Sequence, residues 1–517
     1  MATQLRAGTL RRTRQHGPAL WASWSVPTTA AVAAVAFAAR ILVVVRGEGF
    51  HALAGYDQGV YYAAADAFVH GRRPYGGFLL LHPPGIMLFL SPFAALGSLT
   101  SDATGMAVAR FAVILLGTLN AVLVTRIALR FGPVAAIVGG LFYALWVPVV
   151  VLETQTKLEP LGNTSLLLAL WVLLRRRAQP ISARAEVLSG AALGAGAGVK
   201  IWGVLPLLVV LGWQLLDRGW RSSCRVAAGA AAAVTAICLP FFLMAPDPMF
   251  RMVVTDQLDR PPMHIGVAQR LYGLTDVDIW MRYSQRSVIV AMAVGVLVLT
   301  AVVLARHERS ARVVVVLLVA QTAMLLTAPS FFPAYTTFVI PAVAVILAVA
   351  AGRVAGWLAP RARVLRIAGV GVLSAAVVVG GVLLMPIKVG GGRPFFGTEL
   401  GALAGKERCV LSDTPIVLIE MNVLSRDLRN GCTVHVDVTG YTYEGELALG
   451  PQDQVLARSK NAAWQKQVLG YLTSGNAVLL ARQKGTGLSR ASRKDIARWP
   501  VLAKIDGYTL FARGPQA

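Results

Sequence analysis

The sequence predicts an α-helical polytopic membrane protein of about eleven transmembrane helices with a small extracytoplasmic α/β domain at its C-terminus. Three observations support that class. Of the 517 residues, 56% are hydrophobic and only 14% charged, with a mean hydropathy of +0.62, far from the balance of a soluble domain. Apolar runs long enough to cross ~30 Å of hydrocarbon recur from Ser25 to Pro386. After Pro386 the composition changes to turn residues, charges and short β-branched runs.

The spans fall near 25–45, 104–124, 133–152, 158–174, 186–199, 201–216, 226–245, 287–305, 311–328, 332–351 and 365–386. The first has a cationic approach, residues 1–24, and small residues at Ala36, Ala38 and Ala39. It reads as a retained anchor rather than a cleaved signal, because its removal would leave an even number of crossings. Spans 186–199 and 201–216 form a tight hairpin with its turn near Lys200; one long tilted span is the competing reading.

The formal net charge of +24 does not point to nucleic acid, because the arginines cluster at span ends. Arg6, Arg11, Arg12 and Arg14 precede the first span. Arg126 with Arg130, Arg175–Arg177 with Arg184, Arg218 with Arg221 and Arg225, Arg306 with Arg309 and Arg312, and Arg353 with Arg361, Arg363 and Arg366 punctuate every second connection. That is the positive-inside pattern of a plasma-membrane protein with a cytoplasmic N-terminus. The opposite side then receives the polar segment 46–103, the connection Glu153–Lys157, the loop 246–286, the turn Pro329–Ala334 and the C-terminus.

Segment 46–103 is the expected seat of chemistry, since an acid at the mouth of a span is a functional candidate by default. Asp57 is that acid. Residues 55–68 read as a turn followed by a short amphipathic helix lying at the interface, with Tyr61, Tyr62 and Phe68 as its aromatic belt. The run Leu79–Gly97, interrupted by Pro83, Pro84 and Pro92, reads as a second surface-lying helix. Asp57 could instead cap the first of these helices. Against that, Glu153, Lys157 and Glu159 emerge from a short connection on the same side and predict a polar cluster with it. The loop 246–286 holds Asp256, Asp259, Arg260, His264, Arg270 and Tyr272 and reads as a lid.

Several landmarks occur in a familiar order. An acid follows span one (Asp57), then come a Gly-x-x-Pro-Tyr turn (Gly71, Pro74, Tyr75) and an x-Pro-Pro (His82, Pro83, Pro84). An acid-Pro opens span four (Glu159, Pro160), Val199-Lys200 sits in the hairpin, and an aromatic Pro-x-Tyr (Pro333, Tyr335) marks span ten. Over residues 25–386 the chain resembles the GT-C superfamily of polyprenyl-phosphate-sugar-dependent glycosyltransferases, close to the protein O-mannosyltransferase and aminoarabinose transferase branch. Two positions depart from the pattern: Gln58, where family members often carry a second acid, and His82, where they carry lysine.

The resemblance implies transfer of a hexosyl or pentosyl group, mannose, arabinose or another, from a lipid phosphate to an acceptor hydroxyl on the external face, with inversion. The acceptor would be a glycan, a lipid or a protein. Asp57 would be the general base, a contribution of ~10²–10⁴-fold. The leaving phosphate needs positive charge, for which Arg40, His82, Lys157, Lys200 and Arg270 are candidates, although Arg40 could simply snorkel to the head-groups. Tyr61, Tyr75, Glu153, Glu159 and Tyr335 are candidates for sugar or acceptor contacts. No Asp-x-Asp occurs in this region, so no cofactor and no metal are expected, a divalent ion being the alternative. A transporter or lipid flippase for an envelope precursor is the rival class, which should show internal repeats or paired broken helices; the halves show no self-similarity.

Beyond a linker at 387–394, residues 395–517 predict a small α/β domain, with strands at 410–411, 434–438 and 477–480 and helices at 414–422 and 453–473. Cys409 and Cys432 lie on the side assigned to the oxidising compartment and predict a disulfide; two buried free thiols are the alternative. Cys224 and Cys238 belong to a span and its cytoplasmic edge.

Overall fold

The computed structural model describes residues 18–47, 49–53, 55–174, 181–260, 262–279, 281–357, 395–442, 456–481, 487–505 and 507–513, with side chains from residue 25. The predicted span 365–386, the linker 387–394, Arg6–Arg14, Arg175–Arg177 and Arg361–Arg366 lie outside the described residues. Among the described residues before 358 there are sixteen α-helices: α1 (Pro18–Arg46), α2 (Tyr56–Val69), α3 (Gly85–Leu99), α4 (Asp102–Ala128), α5 (Pro133–Leu145), α6 (Val147–Leu152), α7 (Leu158–Leu173), α8 (Ala183–Val199), α9 (Val204–Arg218), α10 (Trp220–Met244), α11 (Pro246–Phe250), α12 (Asp256–Leu258), α13 (Val267–Gly273), α14 (Gln285–Ala305), α15 (Arg312–Thr327) and α16 (Ile340–Trp357).

Seven helical stretches among the described residues are long and apolar enough to cross a membrane: Ser25–Arg46, Asp102–Phe131, Ile201–Arg218, Trp220–Met244, Gln285–Ala305, Arg309–Thr327 and Ile340–Trp357. The predicted spans 133–152, 158–174 and 186–199 form shorter helices. Span 133–152 is split because Pro148 has no N–H to continue the α5 ladder, so Trp146 turns extended and α6 starts afresh. Span 332–351 is displaced: Pro333–Phe338 is a 3₁₀ turn, and α16 starts only at Ile340.

Residues 183–218 are a hairpin and not one tilted span. Lys200 is extended, at φ −144° and ψ 130°, and a 3₁₀ turn at Ile201–Gly203 leads into α9. Small residues hold the hairpin in place. A Cβ on Gly190 would strike the Val226 carbonyl, and one on Gly229 the Val187 carbonyl, so α8 and α10 approach backbone to backbone. That contact fixes the height of Lys200 at the end of α8.

The expectation for segment 46–103 needs correcting. α2 is enclosed, α3 is enclosed on one face while Pro92, Leu96 and Leu99 stay exposed, and Tyr61 and Tyr62 are buried where an interfacial belt was expected. Every residue from Gln58 to Ala67 is buried, and Ile86, Met87, Leu90 and Ala94 of α3 are fully enclosed. The C-terminal domain is the reason. Gly59 faces the backbone of Ile416, where a Cβ would collide, and one apolar core runs continuously from α2 and α3 through Ile416–Ile419 to Leu479 and Leu510.

That domain is built on a four-stranded sheet of β1 (Val410–Ser412), β2 (Ala477–Leu480), β3 (Val501–Ile505) and β4 (Tyr508–Ala512), in the order β1-β2-β4-β3. β1 and β2 are parallel and the other pairs antiparallel. Helices at Pro415–Glu420 and Ala462–Thr473 match the expectation in kind. Residues 434–438 form no strand; they make a loop whose Val436 and Val438 are buried. Cys409 and Cys432 are joined by a disulfide, their Cα atoms 5.8 Å apart, and Cys224 and Cys238 are free.

Candidate functional site

Asp57 stands in the first turn of α2, 55% exposed, and its Oδ2 lies 3.4 Å from Lys157 Nζ. It is not a cap. Gly55, at φ 77°, occupies the cap position, and no side chain caps the helix. Lys157, extended at the entrance to α7, also acts electrostatically on Glu159, two residues further on.

Glu159 accepts a hydrogen bond from Lys200 Nζ at 2.9 Å. The same ammonium sits 4.1 Å from the centre of the Trp202 ring and 4.4 Å from that of Tyr335, an aromatic cradle that favours a cation. Trp202 and Tyr335 meet edge to face at 4.5 Å. Tyr61 joins the two halves of the site. Burial raises its phenol pKa most, and the charges of Asp57 and Glu159 and the nearby Tyr335 push it in the same direction. Asp57, Lys157, Glu159, Lys200, Tyr61 and Tyr335 therefore form one cluster.

His82 borders this cluster, its ring 5.7 Å from that of Tyr61. Burial, with Lys200 and Arg260 nearby, holds its pKa well below the usual imidazole range. That environment disfavours the imidazolium form, and a neutral ring still offers one N–H to a phosphate.

Four other candidates are engaged elsewhere. Arg40 is fully buried and ion-paired to Glu153, itself 2% exposed, because α1 and the end of α6 turn these groups into the bundle. Glu153 also accepts from Asn120 at 2.8 Å and Tyr143 at 2.9 Å. Neither Arg40 nor Glu153 reaches the cluster. Arg270 of α13 is buried and donates to the carbonyls of Ile265, Leu325 and Ala328, tying the loop to the end of α15. Tyr75, at φ 66°, is buried and donates to the His82 carbonyl at 2.9 Å, which shapes the Pro-Pro turn instead of facing a ligand.

Loop 246–286 does lean on the site. Gln257 of α12 donates to the Leu81 carbonyl at 2.9 Å, and Arg260 lies close enough to shift His82. Sequence reading singles out Arg260 only as part of the loop, and Trp202 escapes it altogether. The signal for Trp202 was its place two residues after Lys200, at a hairpin tip that needs no indole. Among the described residues no group of three or more His, Cys, Asp or Glu side chains comes together.

Two grooves flank α7. One is lined by Leu158, Glu159, Gly162, Ser165, Lys200 and Trp202. The other, of about 260 Å³, is lined by Gly85, Phe89, Leu161, Ser165, Val199 and Ile237. Ser165 borders both, and Asp57 lines neither.

Residues 80–329, from the Pro-Pro turn to the end of α15, match the family model described as Glycosyltransferase family 87. The whole fold superposes on the crystal structure of ArnT from Cupriavidus metallidurans bound to undecaprenyl phosphate. Identity is 18%, the TM-score 0.54, and the match covers 96% of this chain and 99% of that one. It also superposes on the Archaeoglobus fulgidus oligosaccharyltransferase in complex with Zn and sulfate, at 13% identity and a TM-score of 0.55, over 87% of this chain and 67% of that one. AglB from the same organism, in complex with an inhibitory peptide and a dolichol-phosphate, matches at 12% identity and a TM-score of 0.55, over 88% and 69%. No curated protein sequence matches significantly. The chain is a multi-pass membrane protein with a GT-C-like fold. Over the stretch that carries the Lys200 hairpin its sequence is similar to Glycosyltransferase family 87.

Proposed function

We propose that the chain transfers a sugar from a polyprenyl-phosphate donor to an acceptor hydroxyl at the extracytoplasmic face, with inversion, and that Asp57 is the general base. The observation that carries this reading is the solvent-exposed carboxylate of Asp57 beside a lysine, 3.4 Å away, at the edge of a cluster whose deeper cation, Lys200, opens onto an apolar groove. The acceptor proton passes to the Asp57 carboxylate as the acceptor oxygen attacks C1. The bond from C1 to the phosphate oxygen breaks, and its electron pair stays on the phosphate. Lys157 and Lys200 meet that developing charge, while Glu159, Tyr61 and Tyr335 orient the sugar.

The larger groove beside α7, of about 260 Å³ and mostly apolar, suits an isoprenoid segment of the donor. The undecaprenyl phosphate and dolichol-phosphate bound by the matched structures support a lipid-phosphate donor. Placement of the C-terminal domain outside the plasma membrane is supported by its disulfide. Arg309 pairs with Asp217 at 3.2 Å, which puts two arginine-rich connections at one end of the bundle, as a cytoplasmic face requires.

The test is transfer by purified enzyme from a panel of labelled polyprenyl-phosphate hexoses and pentoses, with chelator in parallel. Product with the inverted anomeric configuration, formed with chelator present and lost in Asp57→Asn, is the expected result. A turnover unaffected by Asp57→Asn would sink the base assignment.

A further inference from the structure

We infer that Asp437 in the C-terminal domain is a positioning residue for Asp57 and acts through the phenol of Tyr56. This rests on the reading of Asp57 as the base. Tyr56 opens α2 and immediately precedes Asp57. Its hydroxyl donates to Asp437 Oδ1 at 2.9 Å and accepts the Thr439 N–H at 3.0 Å. The same Asp437 oxygen takes the Gly440 N–H at 2.8 Å and the Thr439 hydroxyl at 3.1 Å, so the acceptor is itself fixed. Gly440 is pressed between Asp437 and Leu79, leaving no space for a Cβ. The loop is thus seated against the segment that leads to His82.

The first turn of α2 needs such a restraint. No side chain caps it, and an uncapped first turn is the part of a helix most ready to fray. On the other side of Asp57, Gln58 Oε1 accepts from Arg110 of α4 at 3.1 Å. The backbone of Asp57 is therefore pinned from both neighbours, one bond reaching 381 residues along the chain, while its carboxylate stays exposed. Docking of the domain has its own contacts. Ser425 Oγ bonds Asp66 at 3.0 Å, and Ser425 N bonds Asp102 at 3.1 Å. Glu420 pairs with His51 at 3.1 Å and with Arg110 at 3.4 Å. The Tyr56–Asp437 bond is the contact in this interface that adjoins Asp57.

The experiment compares Tyr56→Phe, Asp437→Asn and the double variant in full-length protein in nanodiscs, using the active donor and acceptor. Each single change should lower kcat about tenfold to hundredfold with donor KM held within about twofold, as expected when a reacting group is misplaced and not removed. The double variant should be no worse than either single one, and amide exchange at residues 59–61, the first to be bonded within α2, should accelerate in all three. A wild-type kcat in Tyr56→Phe, or losses that multiply in the double variant, overturns the proposal. A Tyr56→Phe chain that fails to fold also overturns it, since the contact would then be structural. The exchange readout separates this inference from the base assignment. Wild-type turnover in Asp57→Asn sinks the base alone, whereas unchanged exchange at 59–61 sinks the positioning role even where Asp57→Asn is dead.

Discussion

Two ion pairs lie at one end of the bundle, and they differ in how far they are closed. Arg40 and Glu153 are 0% and 2% exposed. Glu153 is bonded by Arg40, Asn120 and Tyr143, while Arg40 also donates to the Ala36 carbonyl at 2.7 Å. Gly117 of α4 makes the room, since a Cβ there would meet both side chains. Asp57 and Lys157 are 55% and 15% exposed and share one contact of 3.4 Å. A closed pair holds its charges only for each other, because leaving either one alone inside the bundle is costly. An exposed pair contributes about 0–1 kcal/mol, so a substrate can separate it at little cost. Availability, not the presence of charge, marks the site.

Asp57→Asn separates the two pairs most sharply. Transfer should fall ~10²–10⁴-fold with the unfolding midpoint unchanged, as measured by initial rates beside a thermal melt. Arg40→Met should do the reverse. Removing one partner of a buried pair destabilises by about 3–5 kcal/mol, so the melt should drop while kcat per folded molecule stays near wild type. A stable Arg40→Met chain with lost donor binding would dissolve the distinction between the pairs.

Lys200 lies between these extremes, 13% exposed, paired with Glu159 and cradled by two rings. Lys200→Met should lower kcat/KM for the donor about tenfold to hundredfold, the worth of one charge-assisted hydrogen bond of about 1.5–3 kcal/mol, with kcat falling because the charge Lys200 meets develops in the transition state. An unchanged kcat/KM would move the phosphate site away from the hairpin.

Span-length apolar runs made the membrane fold legible, and the Lys200 hairpin followed from two short runs around a charged turn. Glu153 and Glu159 looked alike in sequence, as acids at either end of one short connection. The end of α6 turns the first inward and the start of α7 leaves the second facing Lys200, a difference of helix register that composition does not carry. Tyr61 and Tyr62 read as an interfacial belt because α2 shows an apolar surface but not what covers it. The cover arrives with Ile416 and Ser425, from the far end of the chain. The β3–β4 hairpin was missed despite a usable signal, the Asp506-Gly507 pair between two β-rich runs.

Asp427 tests an intermediate degree of closure and carries the smallest expected effect. Its carboxylate is fully buried, while its partner Arg426 is 25% exposed. It accepts the Val410 N–H at 2.8 Å and so anchors β1. Burial raises its pKa to about 7 against the pull of Val410 and Arg426. An unfolded aspartate titrates near ~3.9, so between that value and about 7 the folded chain binds more protons than the unfolded one. Stability from this group is complete below the lower value and is lost as pH rises through the upper one. Protection of the 410–412 amides, corrected for intrinsic exchange, should therefore decline between pH 5 and 7.5, as order-of-magnitude bounds of that window, and Asp427→Asn should flatten the decline. Protection that rises over this window would mean that Arg426 closes around Asp427 far enough to act as Arg40 does for Glu153.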